Sequence, residues 1–268
     1  MFSFSPIATV HSCYRTKFGI PRQSGLIPEA TGWLELLPPY NQPNTVRGLE
    51  AFSHIWVIFV FNENLREGWK ATVRPPRLGG DRRLGVFATR SPFRPMPLGL
   101  SALKLERLEL RPRGQIRLHV SGLDLLDGTP VLDIKPYLPY ADSIPQATGG
   151  FADTPPAQEA LQVTLAPELR QRHGREIPKI LELAQKVVAA DPRPAYQKIP
   201  GREYQCYLGT WEILWTTGEN PTQATITQIR PWNPQPPADG KPTPPPITEP
   251  DAMPPQGNPK PRHGTHAP

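Results

Sequence analysis

His54-Ile-Trp-Val-Ile-Phe-Val-Phe61 is a short run with apolar side chains on both faces, too brief for a helix and bounded by polar residues. Such a run suits a strand covered on both sides, so it predicts a central strand. Working outward, six further segments read as strands: Ile7 to Cys13, Gly32 to Leu37, Gly85 to Thr89, Leu100 to Leu110, Gln115 to Gly122 and Val131 to Lys135. Turn-forming clusters divide them, Pro-Pro-Tyr-Asn-Gln-Pro-Asn at 38–44 and Arg-Pro-Arg-Gly at 111–114. Seven strands without a long helix predict a mainly β unit, either a barrel or a sandwich.

The character changes near Thr148. Leu161 to Leu165 reads as a strand, and Ile177 to Ala190 carries Ile180, Leu181, Leu183, Ala184, Val187 and Val188 at helical spacing. Asp191-Pro-Arg-Pro194 stops that helix, and Tyr204 to Trp215 with Thr222 to Ile229 read as a hairpin around Thr216 to Asn220. These elements predict a small α+β domain over 148–230. Fourteen of the 38 prolines then fall in 231–268, where Ile247 is almost the only aliphatic side chain. A segment this poor in apolar surface cannot offset its ordering entropy, so a disordered, Pro-rich tail is expected.

The tail's charges cancel, so the net +6 of the chain sits on residues 1–230. With a pI near 9.4 that balance suits a polyanionic partner, nucleic acid before an anionic membrane, since no long apolar run or lipidation signal favours the latter. Met1 to Ser12 alternates like a strand and lacks the basic and apolar regions of a signal peptide, so a cytoplasmic location is expected. Cys13 and Cys206 are too few for a structural zinc site, and the six histidines show no ligand spacing; no metal is expected.

Two stretches carry charge where strands end. In Asp81-Arg-Arg-Leu-Gly-Val-Phe-Ala-Thr-Arg-Ser-Pro-Phe-Arg-Pro-Met-Pro-Leu-Gly-Leu-Ser101, Arg90 and Arg94 lie among three prolines that stiffen the chain. That loop is either a clamp for an anion or a turn with two solvated arginines. In Ser121 to Tyr137, Asp127-Gly128 forms a turn, and Asp133 and Lys135 share one face of the following strand. They fit a structural ion pair and a functional site equally well.

Taken together, the motifs resemble the TsaA/TrmO-like family of tRNA N6-threonylcarbamoyladenosine methyltransferases. The resemblance rests on Gly85-Val-Phe-Ala-Thr-Arg-Ser-Pro92 with Arg94-Pro95, Pro97 and Gly99-Leu-Ser101, and on Pro21-Arg-Gln23 with Gly25. It extends through Asn44 to His54, Thr72 to Arg77, Asp127-Gly-Thr-Pro130, Asp133-Ile-Lys-Pro-Tyr137 and Asp191-Pro-Arg-Pro-Ala-Tyr196, in order across nearly all of residues 5–230. It implies a seven-stranded β-barrel over 5–147 that binds S-adenosyl-L-methionine, catalyses methyl transfer and works as a homodimer. No Gly-rich dinucleotide fingerprint argues otherwise. By the resemblance, the cofactor contacts are Pro21, Arg22, Gln23, Asn62, Glu63, Arg90, Leu100, Asp127, Gly128, Thr129 and Pro130. Met96 departs from the pattern, standing where relatives usually carry Asn, so no polar contact is expected there.

The implied reaction methylates N6 of N6-threonylcarbamoyladenosine beside the anticodon of tRNA. That nitrogen is a poor nucleophile, so catalysis needs positioning and a proton acceptor. Asp133 is the first candidate, then Glu63, with Tyr137 as hydrogen-bonding partner. Arg94 and Lys135 are candidates for the threonyl carboxylate, and Tyr196, in the small domain, for holding the RNA. Arg15, Lys17, Arg82, Arg83, Arg193, Lys198 and Arg202 are candidate phosphate contacts, each of which is as readily a surface charge. The alternatives are a methyltransferase of the same fold acting on a small metabolite and an RNA-binding module without catalysis.

Overall fold

The computed structural model describes residues 3–156, 160–172, 178–193 and 199–232. Strands β1 (Ala8–Ser12), β2 (Thr31–Leu36) and β3 (His54–Val60) are followed by the two-residue strands β4 (Thr72–Val73) and β5 (Leu84–Gly85). After these come the long β6 (Leu98–Leu110), β7 (Ile116–Ser121) and β8 (Pro130–Pro136). β1, β2, β7, β6, β3 and β8 close, in that order, into an antiparallel barrel, while β4 and β5 pair only with each other.

Period-two alternation explains the closure. Val10, Leu34, Ile55, Val57, Leu103, Leu118, Val120 and Val131 all point inward and are buried, and closing the sheet leaves no edge unpaired. The Phe59 ring lies where a side chain on Gly99 would sit, so that position has room only for hydrogen.

The barrel has six strands, not seven. The expected strand Gly85 to Thr89 is replaced by β5 and a 3₁₀ turn at Val86–Ala88. Of that apolar run only Val86 is buried, Phe87 is 76% exposed, and the Thr89 hydroxyl turns back onto the Val86 carbonyl at 2.8 Å. A strand in a closed barrel needs partners on both edges, and this segment has one two-residue neighbour.

The second part of the chain is a four-stranded sheet ordered β10 (Glu203–Leu208), β11 (Trp211–Thr217), β12 (Gln223–Pro231), β9 (Gln162–Leu165), with β9 parallel to β12. The helix Pro178–Ala189 packs on it through Leu183, Ala184, Val187 and Val188. The stretch expected as one strand from Tyr204 to Trp215 is two, broken at Gly209, whose φ of 60° makes the turn that a side chain would resist. The sheet also runs past the boundary drawn at residue 230. Pro231 ends β12, and Trp232 packs on Tyr207 with ring centroids 4.9 Å apart. The rest of the expected tail, 233–268, lies outside the described residues.

Sheet and barrel are joined directly. Tyr14, just past β1, bridges to Leu208, and the Gly209 amide donates to the Cys13 carbonyl at 2.6 Å. One hydrophobic core runs through Tyr14, Cys206, Leu208 and Val187.

Candidate functional site

Strand register gathers the connections that carry the candidate residues at one end of the barrel. Ser12 faces Gly32, Thr31 faces Ser121, Val60 faces Leu98 and Thr9 faces Pro130. The end of β1, the start of β2, the ends of β3 and β7 and the starts of β6 and β8 therefore lie together. From that end rise the connections 13–30, 61–97 and 122–129. They put Pro21, Arg22, Gln23, Asn62, Glu63, Arg90, Arg94 and the Asp127 turn at the same end of the barrel although the sequence separates them by up to about a hundred residues.

Within this group Arg90 donates to the Gln23 side-chain carbonyl, joining two of the motifs. Arg94 donates to the Thr89 carbonyl at 2.7 Å, so its guanidinium shapes its own loop. The Lys17 ammonium reaches the Glu63 carbonyl at 3.3 Å and the Glu67 carboxylate at 3.8 Å, fastening the 3₁₀ helix Asn62–Glu67 to the 13–30 connection. Asp127 is fully occupied. One oxygen accepts from the Ser12 amide at 2.8 Å and the other pairs with Arg15. The Asp127 carboxylate thus pins the turn, and Arg15, a candidate for phosphate, is the residue it holds. Gly128 has φ of 80°, which this tight turn requires, and the Thr129 hydroxyl donates to the Leu126 carbonyl at 2.7 Å.

Leu100, Asp133, Lys135 and Tyr137 stand apart from this cluster, on the outer wall, whereas Glu63, the other catalytic candidate, lies within it. Ile58 faces Leu100 on one side and Asp133 on the other, and Trp56 faces Lys135. Lys135 and Asp133 do share a face, and they pair with each other at 2.9 Å. Tyr137 lies next along, its ring 5.4 Å from Trp56. Leu100 is 53% exposed on this wall, with Met96 and Leu98 exposed beside it.

Residues 9–143 match the model of the tRNA-methyltransferase O N-terminal domain, and residues 158–232 match that of the TrmO C-terminal domain. The chain belongs to the TrmO family. It is 45% identical to the tRNA (adenine(37)-N6)-methyltransferase of Escherichia coli, over 80% of this chain and 92% of that one. A Pseudomonas aeruginosa protein provisionally named an S-adenosylmethionine-dependent methyltransferase is 48% identical over 80% of this chain and 91% of its own. The crystal structure of TrmO from Pseudomonas aeruginosa superposes with a TM-score of 0.69 at 39% identity, covering 86% of this chain and 98% of that one.

Sequence reasoning passed over one residue of this TrmO barrel end. Asp124 lies between the buried Leu123 and Leu125, just before the Asp127 turn. Burial raises its carboxyl from an ordinary 3.8 to about 6, against the lowering influence of the Ser101 hydroxyl, the Ser24 amide and Arg90. Its Oδ1 is sealed from solvent with no hydrogen-bond partner. The signal was a lone carboxylate inside an apolar run. The two cysteines take no part in such chemistry, because burial pushes Cys13 up to about 11 and Cys206 to about 12, leaving both as thiols.

Arg193 corrects another expectation. It is 2% exposed, forks onto Asp191 at 2.6 and 3.0 Å, and donates to the Pro221 carbonyl at 3.2 Å. It fastens the helix exit to the sheet and is not available to phosphate. Arg22, on the first candidate motif, lines a cavity of about 260 Å³ together with Asp191 and Arg193. Tyr196 and Lys198 lie outside the described residues.

Proposed function

We propose that this protein methylates N6 of N6-threonylcarbamoyladenosine beside the anticodon of tRNA, using S-adenosylmethionine. The observation that carries the reading is the barrel-end cluster of Gln23, Arg90 and Asp124, in a chain whose relatives are named for methyl transfer to adenine 37 of tRNA. The residues fit the cofactor's amino-acid end, since the same barrel end holds a guanidinium anchored on Gln23 and a buried carboxylate with an unpartnered oxygen. S-adenosylmethionine supplies an electrophilic methyl group on sulfur.

The chain's own residues then position and deprotonate. Asp133 is the proton acceptor, Glu63 the second candidate, and Tyr137 a hydrogen-bonding partner. Lys135 and Arg94 meet the threonyl carboxylate; for Lys135 this means exchanging its ion pair with Asp133, which frees that carboxylate for the proton. Recognition of an anion that plain adenosine lacks makes the unmodified base a poor substrate. The small domain, 148–230, positions the RNA, with Tyr196 among its contacts.

The protein works as a homodimer. Leu98, Leu100, Met96 and Phe87 form an exposed apolar stretch along β6 and the loop before it, and a second copy covering it would bring partner surface beside Asp133. Its substrate places it in the cytoplasm.

The test is transfer of labelled methyl from S-adenosylmethionine to two tRNA preparations, one carrying N6-threonylcarbamoyladenosine and one transcribed without modification, with Arg90→Ala as control. Label enters only the modified tRNA and is lost in the variant. If neither tRNA accepts label while calorimetry still records cofactor binding, the substrate is a small metabolite; steep loss of RNA affinity with salt and no transfer would mark a binding module.

A further inference from the structure

Buried polar atoms are almost always hydrogen-bonded, because an unmade bond leaves the whole desolvation cost standing. Asp124 Oδ1 breaks that rule at the end of the barrel where the candidate residues meet. The other carboxylates of this barrel end have partners: Asp127 accepts from Ser12 and pairs with Arg15, Glu67 pairs with Lys17, and Glu63 accepts from the Asn62 amide. Glu29 also has a buried oxygen without a partner, but it lines a different cavity, with Cys13, Thr31 and Lys179. Asp124 lies by Ser24, and the neighbouring Gln23 holds the Arg90 guanidinium, whose charge acts weakly on the carboxyl.

A cation and an anion at the same barrel end match one feature of the cofactor. The amino-acid end of S-adenosylmethionine is a zwitterion, and a site for it needs one group of each sign. We propose that Asp124 and Arg90 bind this end together, Asp124 Oδ1 accepting from the α-ammonium and the Arg90 guanidinium taking the α-carboxylate. The inference rests on S-adenosylmethionine being the cofactor. The Arg90–Gln23 contact is exposed, so a ligand that takes the guanidinium replaces it at little cost.

The titratable groups whose charge acts on Asp124 are Arg90 and Tyr14, whose phenol burial holds neutral; Glu29 in turn acts on Tyr14. Since burial raises the Asp124 carboxyl to about 6, the free protein carries it protonated below that pH, where it cannot accept from an ammonium.

The experiment is calorimetric binding of S-adenosylmethionine, S-adenosylhomocysteine and 5′-methylthioadenosine to the full chain and to Asp124→Asn. The first two carry the zwitterion, and the third lacks it. The variant loses at least about tenfold in affinity for the first two and keeps its affinity for methylthioadenosine. The unaltered chain gives the same answer without mutation. Its affinity for S-adenosylhomocysteine rises as pH rises through about 6, and that for methylthioadenosine stays level. Equal affinities of the two proteins for S-adenosylhomocysteine, or an equal loss for all three ligands, would overturn the assignment. Failure of the unaltered chain to bind any of them would overturn the cofactor reading beneath it.

Discussion

Replacing Asp124 by Asn makes the ligand-free protein more stable at neutral pH, and the size of the gain follows from the buried carboxyl. Burial lifts that carboxyl from 3.8 to about 6, so the folded chain holds the proton more tightly than the unfolded one. Stability therefore falls as pH rises from about 4 to about 6, and at pH 7 the charged carboxylate costs about 3 kcal/mol at roughly 1.4 kcal/mol per pKa unit. The cost is about half that at pH 5 and small at pH 4. Asparagine carries no charge and its carbonyl still accepts from Ser101 or Ser24, so about 1–2 kcal/mol of this is recovered. In a protein of this size that is a rise of roughly 2–8 °C in melting temperature at pH 7.5, shrinking toward zero at pH 4.5. The assay is thermal unfolding of both proteins across that range without ligand. An Asn variant less stable than the parent by the same margin at every pH would refute the reasoning, because it would mean the carboxylate is satisfied inside the fold.

Three other substitutions probe the frame around the site. Asp127→Ala removes the acceptor of the Ser12 amide and the partner of Arg15, and lowers unfolding free energy by about 1–3 kcal/mol, measured in urea. Arg193→Ala removes the two-pronged contact with Asp191 and the donor to the Pro221 carbonyl and costs about 1–3 kcal/mol; Arg193→Lys restores little, since an ammonium cannot reproduce the fork, and melting curves of both check it. Truncation after Asn233 leaves methyl transfer and melting temperature unchanged, whereas truncation after Arg230 lowers the latter by removing Pro231 and the Trp232 ring packed on Tyr207.

Six of the barrel strands were legible because each alternates between a buried and an outward face, and closure preserves that period. Gly85 to Thr89 misled because its composition is strand-like while its surroundings offer no second edge to pair with. The break at Gly209 was visible only as one glycine between apolar residues, a signal that a strand interior can also carry. At the candidate site, the family resemblance pointed to Gln23, Arg90 and the Asp127 turn, which register brings to one barrel end; it could do so only as motifs. It could not say that Asp127 is consumed by Arg15 or that Asp133 pairs with Lys135, since both facts depend on which side chains meet across the fold. Asp124 escaped for the same reason: nothing in an apolar run shows which oxygen will be left without a partner.

The most direct test of the account is nucleoside mass spectrometry of tRNA bearing N6-threonylcarbamoyladenosine after reaction with the protein and S-adenosylmethionine. The account predicts that this nucleoside alone becomes one methyl group heavier, with the added methyl retained through mild alkali, as an N6 linkage requires. A methyl on another nucleoside, or one released by alkali as an ester of the threonyl carboxylate, would contradict it.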